Sequence, residues 1–355
     1  MGQTLSEPVT TKDSSCVQNS VYKVGASCMQ GWRVTMEDWH THILALPDDQ
    51  EAAFFAVYDG HGGPKVAQHA GHHLHKYVIQ RQEYKQGDVA TALKQGFLEF
   101  DDAMQKDEQM RDELAGTTAI TVLVKNNQLY CANVGDSRSV ASVKGVCEPL
   151  SSDHKPNNTE ENSRICKAGG WVEYNRVNGN LALSRALGDF VFKRNASMKP
   201  EEQMVIALPD VETRTINEDW EFFVLACDGI FDVLTNEEVV EFVRRRIGLG
   251  LEPEAICEEM MTTCLAPDCQ MGGLGCDNMT CIVVCLLNGK TYADYCAQIA
   301  SSMLPSALSA DNSTSISTVN GGDEFEDAQE GNSNSSDEEN ENVINGEDVE
   351  PLSNK

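Results

Sequence analysis

Three apolar runs in this chain stop or start at an acidic residue beside a small or amide one. AAFFAVY at 52–58 ends at Asp59-Gly60, EFFVLAC at 221–227 ends at Asp228-Gly229, and MTCIVVCLL at 279–287 follows Asp277-Asn278. A carboxylate at the mouth of an apolar strand is rigidly held and poorly shielded. Several that converge repel one another unless a cation neutralises them. All-oxygen donors select a hard ion such as Mg²⁺ or Mn²⁺ over Zn²⁺. Taken singly, each Asp-Gly is also an ordinary turn pair. The segment GWRVTMED at 31–38 adds Glu37, Asp38 and Arg33. The planar donor fork of an arginine suits a phosphate; a surface ion pair of Arg33 with Glu37 is the other reading.

Other chemistries leave weaker traces. No cysteine precedes an arginine at the six-residue interval of cysteine-based phosphatases; Cys28 to Arg33 is one short. The paired Gly-Asp-x-His-Gly and Gly-Asn-His-Glu motifs of another metallophosphatase class are missing. Asp228 and Asp232 are four apart, not two as in aspartyl-phosphate enzymes. His69 and His73 share a helix face, but no H-E-x-x-H motif accompanies them, so a solvated helix surface is expected. Cys264, Cys269, Cys276, Cys281 and Cys285 contain no Cys-x-x-Cys pair, and buried small hydrophobes are expected rather than zinc ligands.

Seven segments together resemble the metal-dependent protein phosphatases of the type 2C class. They are GWRVTMED at 31–38, VYDGHGG at 57–63, AGTTA at 115–119, NVGDSR at 133–138, LSRALGD at 183–189, ACDGIFD at 226–232 and DNMT at 277–280. The resemblance implies an α+β fold: a central β-sandwich of two antiparallel sheets flanked by α-helices on both outer faces. It implies hydrolysis of phosphoserine and phosphothreonine in protein substrates, with a hydroxide bridging two Mg²⁺ or Mn²⁺ ions as nucleophile. By motif position Asp59 would bridge the two ions and the Gly60 carbonyl would complete one of them. Asp228 and Asp277 would hold the other, with Glu37 and Asp38 binding through waters. Asp136 would take a third, weaker ion. Arg33 would clamp the phosphate, and His61 would protonate the departing alkoxide. A catalytically dead relative would have lost metal carboxylates, and here all of them are present.

These residues must be positioned by strands and helices between them. The expected strands are 52–58, 117–125, 128–134, 138–143, 146–150, 221–227 and 279–287. The turns Asn126-Asn127 and Lys144-Gly145 join consecutive ones, which favours antiparallel pairing. Helices are expected over 64–80, 89–106, 159–168, 236–247 and 253–265, the second with Leu93, Phe97, Phe100 and Met104 on one face. Three regions follow: an irregular N-terminal arm over 1–20, a phosphatase domain over 21–300, and an acidic tail over 301–355. The tail is rich in Ser, Asn, Asp, Glu and Gly, and it cannot bury enough apolar surface to offset ordering entropy.

The net charge is -29, and residues 311–355 hold 13 acidic residues against one lysine. So acidic a chain is unsuited to nucleic-acid backbones. The 13 cysteines and the lack of an apolar leader suggest reduced thiols in a cytoplasmic or nuclear setting. Met1-Gly2 with Ser6 fits the N-myristoylation pattern, so Gly2 is the expected lipidation site. No polybasic patch follows, and one acyl chain gives only reversible membrane contact. A monomer is expected.

Overall fold

Successive side chains of the strand Ala53–Tyr58 enter two different cores. Phe54, Ala56 and Tyr58 pack among residues of two helices, while Ala53, Phe55 and Val57 pack against a second sheet. The strand Trp220–Ala226 behaves alike: Phe222, Val224 and Ala226 meet helices, and Phe223 and Leu225 meet the opposing sheet. Side chains alternate across a strand, so a strand buried on both faces reads as one continuous apolar run. That is why the sequence shows these strands without alternation.

The computed structural model describes residues 4–269 and 273–303. Its strands are β1 Thr4–Gln18, β2 Tyr22–Arg33, β3 Trp39–Ile43, β4 Ala53–Tyr58, β5 Ala119–Lys125, β6 Gln128–Val134, β7 Arg138–Val143, β8 Val146–Pro149, β9 Asp210–Thr215, β10 Trp220–Ala226 and β11 Met279–Leu286. The longer helices are α1 Lys65–Gln80, α2 Val89–Lys106, α3 Thr159–Lys167, α4 Asn236–Gly248, α5 Pro253–Cys264 and α6 Tyr292–Met303. One sheet has the order β1-β2-β11-β10-β7-β8 and the other β9-β6-β5-β4-β3. The ladders within both sheets are antiparallel. Helices α1 and α2 cover the outer face of the second sheet, and α4, α5 and α6 cover the first. The fold is the α+β sandwich that the motifs imply.

The sequence pattern sets the helix limits. Asp88 caps α2 by accepting from the Thr91 N–H at 3.1 Å. Thr235 and Glu238 close a reciprocal capping box on α4. Pro253 opens α5, where its missing N–H costs nothing.

Two expectations are corrected. Residues 4–18 are a strand, not an irregular arm: β1 pairs with β2 from Gln18↔Lys23 back to Thr4↔Arg33. It is an edge strand with a largely solvated face, so it needs no apolar stripe. Its register shifts twice between Thr4 and Lys12, where Pro8 lacks a ladder donor. At the other end, α6 carries regular structure past residue 300, burying Tyr295, Cys296 and Ile299 against the first sheet's helices. Gly2 and the acidic tail beyond Met303 lie outside the described residues.

The expected strand 117–125 is also interrupted. Gly116–Thr117 pairs with Gly60–His61 on one side and Leu187–Gly188 on the other, a small sheet of its own. Cys281 and Cys285 are fully buried against the helices, as small hydrophobes. Cys269 and Cys276 lie side by side with their Cα atoms 6.0 Å apart, and the other eleven cysteines are free. No helix among the described residues is long and apolar enough to cross a membrane.

Candidate active site

Antiparallel pairing gathers the motif residues at one end of the sandwich. In the first sheet the end of β2, the start of β11 and the end of β10 are neighbours, which groups Arg33, Asp277 and Asp228. In the second sheet the end of β4 lies beside the start of β5. The Asp59 N–H donates to Thr118 Oγ1 at 3.1 Å, and the Thr118 N–H donates to the Asp59 carbonyl at 2.9 Å. The turn between β6 and β7 adds Asp136. Between them opens a cleft of about 640 Å³ lined by Arg33, Glu37, Asp59, Gly60, His61, Asp136, Asp228 and Asp277. A short hairpin, 172–177, and the residues after it bring Arg176 and Asn180 to its rim.

The carboxylates crowd one another. Withdrawal from water pushes the Asp59 carboxyl well above the ordinary range, and the charges of Asp228, Asp38 and Asp277 push it further. Asp228 is raised in the same way, by desolvation and then by Asp136 and Asp277. Asp277 is raised by desolvation despite the opposing charge of Arg33, which pairs with it. Such a set is at rest only when protonated or when cations are present.

Asp38 does not line the cleft. It stands behind the wall, 5% exposed, with Oδ2 accepting from Thr280 Oγ1 at 2.7 Å and Oδ1 buried without a partner. Desolvation pushes its carboxyl up to about 7. Glu37 is oriented by two hydrogen bonds: Oε2 accepts from the Gly63 N–H at 3.0 Å and Oε1 from Thr35 Oγ1 at 2.7 Å. A side chain on Gly60 would strike the Glu37 carbonyl, so only glycine lets the 31–38 segment lie against the end of β4. The orphaned Asp38 oxygen, the mutually raised carboxyls and the all-oxygen donor set fit hard divalent ions.

Three side chains went without a role in the sequence reading. Asn278 clips the Arg33 loop in place: its Nδ2 donates to Gln30 O at 2.8 Å and Thr35 O at 3.0 Å, and its Oδ1 accepts from the Glu37 N–H at 2.9 Å. Asp189 meets His61, with Oδ2 2.7 Å from Nε2. Burial alone would lower the His61 pKa, but the Asp189 carboxylate prevails and raises it. Asp189 sits in the left-handed region at φ 51°, held by its N–H on the Ala115 carbonyl at 3.1 Å. A Cβ on Gly116 would collide with both members of the pair, so the AGTTA glycine makes room for it. Lys155 forms an ion pair with Asp136. Asp189 and Asn278 fall inside quoted motifs; Lys155 falls in none.

Outside the cleft, His69 and His73 lie side by side on α1 with ring centroids 4.6 Å apart. Cys16, Glu252 and Glu254 also bring ligand atoms within 4.8 Å of one another, but Lys23 already pairs with Glu252 there.

Comparison with known proteins agrees with this geometry. The family model described as protein phosphatase 2C matches residues 22–271. A Caenorhabditis elegans protein described as a probable protein phosphatase 2C is 61% identical over 292 residues, 82% of each chain. Protein phosphatase 2C homolog 3 of Schizosaccharomyces pombe is 50% identical over 303 residues, 84% of this chain and 73% of its own. The crystal structure of a phosphatase from Toxoplasma gondii superposes with a TM-score of 0.67 at 27% identity, over 78% of this chain and 96% of that one.

Proposed function

The chain belongs to the protein phosphatase 2C family of metal-dependent serine/threonine phosphatases, and from that premise we propose that it works through a two-ion Mg²⁺ or Mn²⁺ centre. Asp59 would be shared between the ions, the Gly60 carbonyl would serve one, and Asp228 and Asp277 would hold the other. Glu37 and Asp38 would act through waters, and Asp136 would take a third, weaker ion. The observation that carries this reading is the convergence of Asp59, Asp228 and Asp277 on one cleft with their carboxyls raised. When bound, such ions acidify water and so supply a hydroxide nucleophile near neutral pH.

The remaining work belongs to side chains. Arg33, 45% exposed at the cleft mouth, holds the non-bridging phosphate oxygens where charge must be stabilised. His61 protonates the departing serine or threonine oxygen. Asp189 keeps that imidazole charged and oriented. The open rim with Arg176 and Asn180 suits a phosphorylated segment of a protein.

A phosphopeptide panel with metal titration tests this. Turnover is expected on phosphoserine and phosphothreonine peptides, to vanish in EDTA and to return with Mg²⁺ or Mn²⁺. Undiminished turnover after metal stripping overturns the centre. Gly2 is proposed as the lipidation site on its sequence pattern, with reversible membrane contact by an otherwise cytoplasmic or nuclear monomer. Intact-mass measurement of protein from eukaryotic cells is expected to show an added myristoyl mass that Gly2→Ala removes; an unmodified wild-type mass rules it out.

A further inference from the structure

Three consecutive residues after β8 hold the loop that carries Asp136. Asp153 takes Arg138 in a two-point ion pair, with Nε to Oδ1 at 2.7 Å and Nη2 to Oδ2 at 2.9 Å. The His154 N–H donates to the Gly135 carbonyl at 2.9 Å, and its Nδ1 accepts from the Gly135 N–H at 3.3 Å. Its other nitrogen, Nε2, meets Asp210 Oδ2 at 3.1 Å. With both neighbours of the turn fixed, Lys155 is delivered to Asp136, and its ammonium pairs with Oδ2. Asp228 and Asp232 also lie within the field of this ammonium.

The proposed metal acids are not alike in this respect. Among the described residues Asp59 and Asp228 have no cationic partner and Asp277 pairs with the half-exposed Arg33, whereas Asp136 is 6% exposed and carries a tethered ammonium. A divalent ion arriving at Asp136 must displace a tethered positive charge. Two cations that share one carboxylate oppose each other's binding, and such coupling is reciprocal.

We propose that Lys155 is a built-in competitor for the third ion: its ammonium occupies Asp136 until a divalent cation displaces it. This rests on the reading of Asp136 given above. The third ion is therefore weak because its site is already neutralised, not because donors are lacking. Free Mg²⁺ or Mn²⁺ above the needs of the first two ions then sets how much of the enzyme holds a third.

Mn²⁺ binding to the metal-stripped full chain tests the proposal, by calorimetry and by the electron paramagnetic resonance signal of free Mn²⁺. Asp136→Asn should remove the weakest class of ion in the wild-type chain. Lys155→Met should tighten that class by about fivefold or more, the low end of ordinary coupling between sites, and shift the tighter ions less. Lys155→Arg, which keeps the charge, should bind close to wild type. A Lys155→Met chain whose weak class is unchanged or weaker overturns the proposal, since the lysine would then be a staple for the loop. A weak class that requires Asp136 but ignores Lys155 sinks this inference alone. Absence of any weak class in wild type and Lys155→Met sinks the Asp136 reading with it. Melting of each metal-free variant checks folding, and Lys155→Gln replaces the Met variant if that one does not fold.

Discussion

Asp59→Asn is expected to abolish turnover while leaving the metal-free chain as stable as wild type or more so. The substitution keeps the shape of the side chain and the two hydrogen bonds that Thr118 makes to the Asp59 backbone. It removes one negative charge from a group that Asp228, Asp38, Asp277 and Asp136 all repel. Loss of the proposed metal-holding carboxylate would remove the acidified water, and several kcal/mol of lost stabilisation is about 10³-fold or more in rate. The two readouts move oppositely, which separates a lost ligand from a damaged fold. The pH dependence has a definite sign. These carboxyls hold their protons to higher pH in the folded chain than in the unfolded one. Folding therefore takes up protons, and metal-free stability falls as pH rises above the ordinary carboxylate range; for Asp38 the loss is complete above its folded value of about 7. Asp59→Asn should flatten that fall. Melting curves across pH with phosphatase assays at saturating Mn²⁺ check both parts, and wild-type rates in the variant would remove Asp59 from the centre.

His61→Ala is expected to reduce hydrolysis of a phosphoserine peptide about 10²–10⁴-fold, the usual contribution of a general acid. It should reduce p-nitrophenyl phosphate hydrolysis far less. Nitrophenolate departs without a proton, and a serine alkoxide does not. Asp189→Asn refines the test. It keeps a polar partner 2.7 Å from the imidazole but removes the charge that raises its pKa. A general acid works while protonated, so the rate falls as pH rises through its pKa. The alkaline limb for the phosphoserine peptide should shift to lower pH in Asp189→Asn. Equal losses on both substrates in His61→Ala would assign His61 an orienting role instead.

Physical reasons separate what could be read in the chain from what could not. Strands β4, β10 and β11 are buried on both faces, so their apolar runs stand out, and the acids at their ends mark the cleft. Strand β1 is an edge with a solvated face, and its mixture of Thr, Ser, Lys and Glu resembles a loop. Helix α6 hides its buried side in a run where Ser, Gln and Asp alternate with small residues. Inside the cleft, the motifs supplied the residues but not their pairings. His61 and Asp189 are 128 positions apart, and Lys155 is 19 positions from Asp136. Such pairs depend on tertiary approach, and on a left-handed aspartate that no propensity announces.

Strand β1 begins at the catalytic end of its sheet, since Thr4 is the ladder partner of Arg33. Gly2 precedes Thr4 by two residues, and two residues span at most about 7 Å even when fully extended. Anything joined to the Gly2 amine is therefore attached within that distance of Thr4, at the same end of the sheet. For protein engineering, a purification tag or fluorescent fusion on this amine starts next to the doorway through which substrates enter.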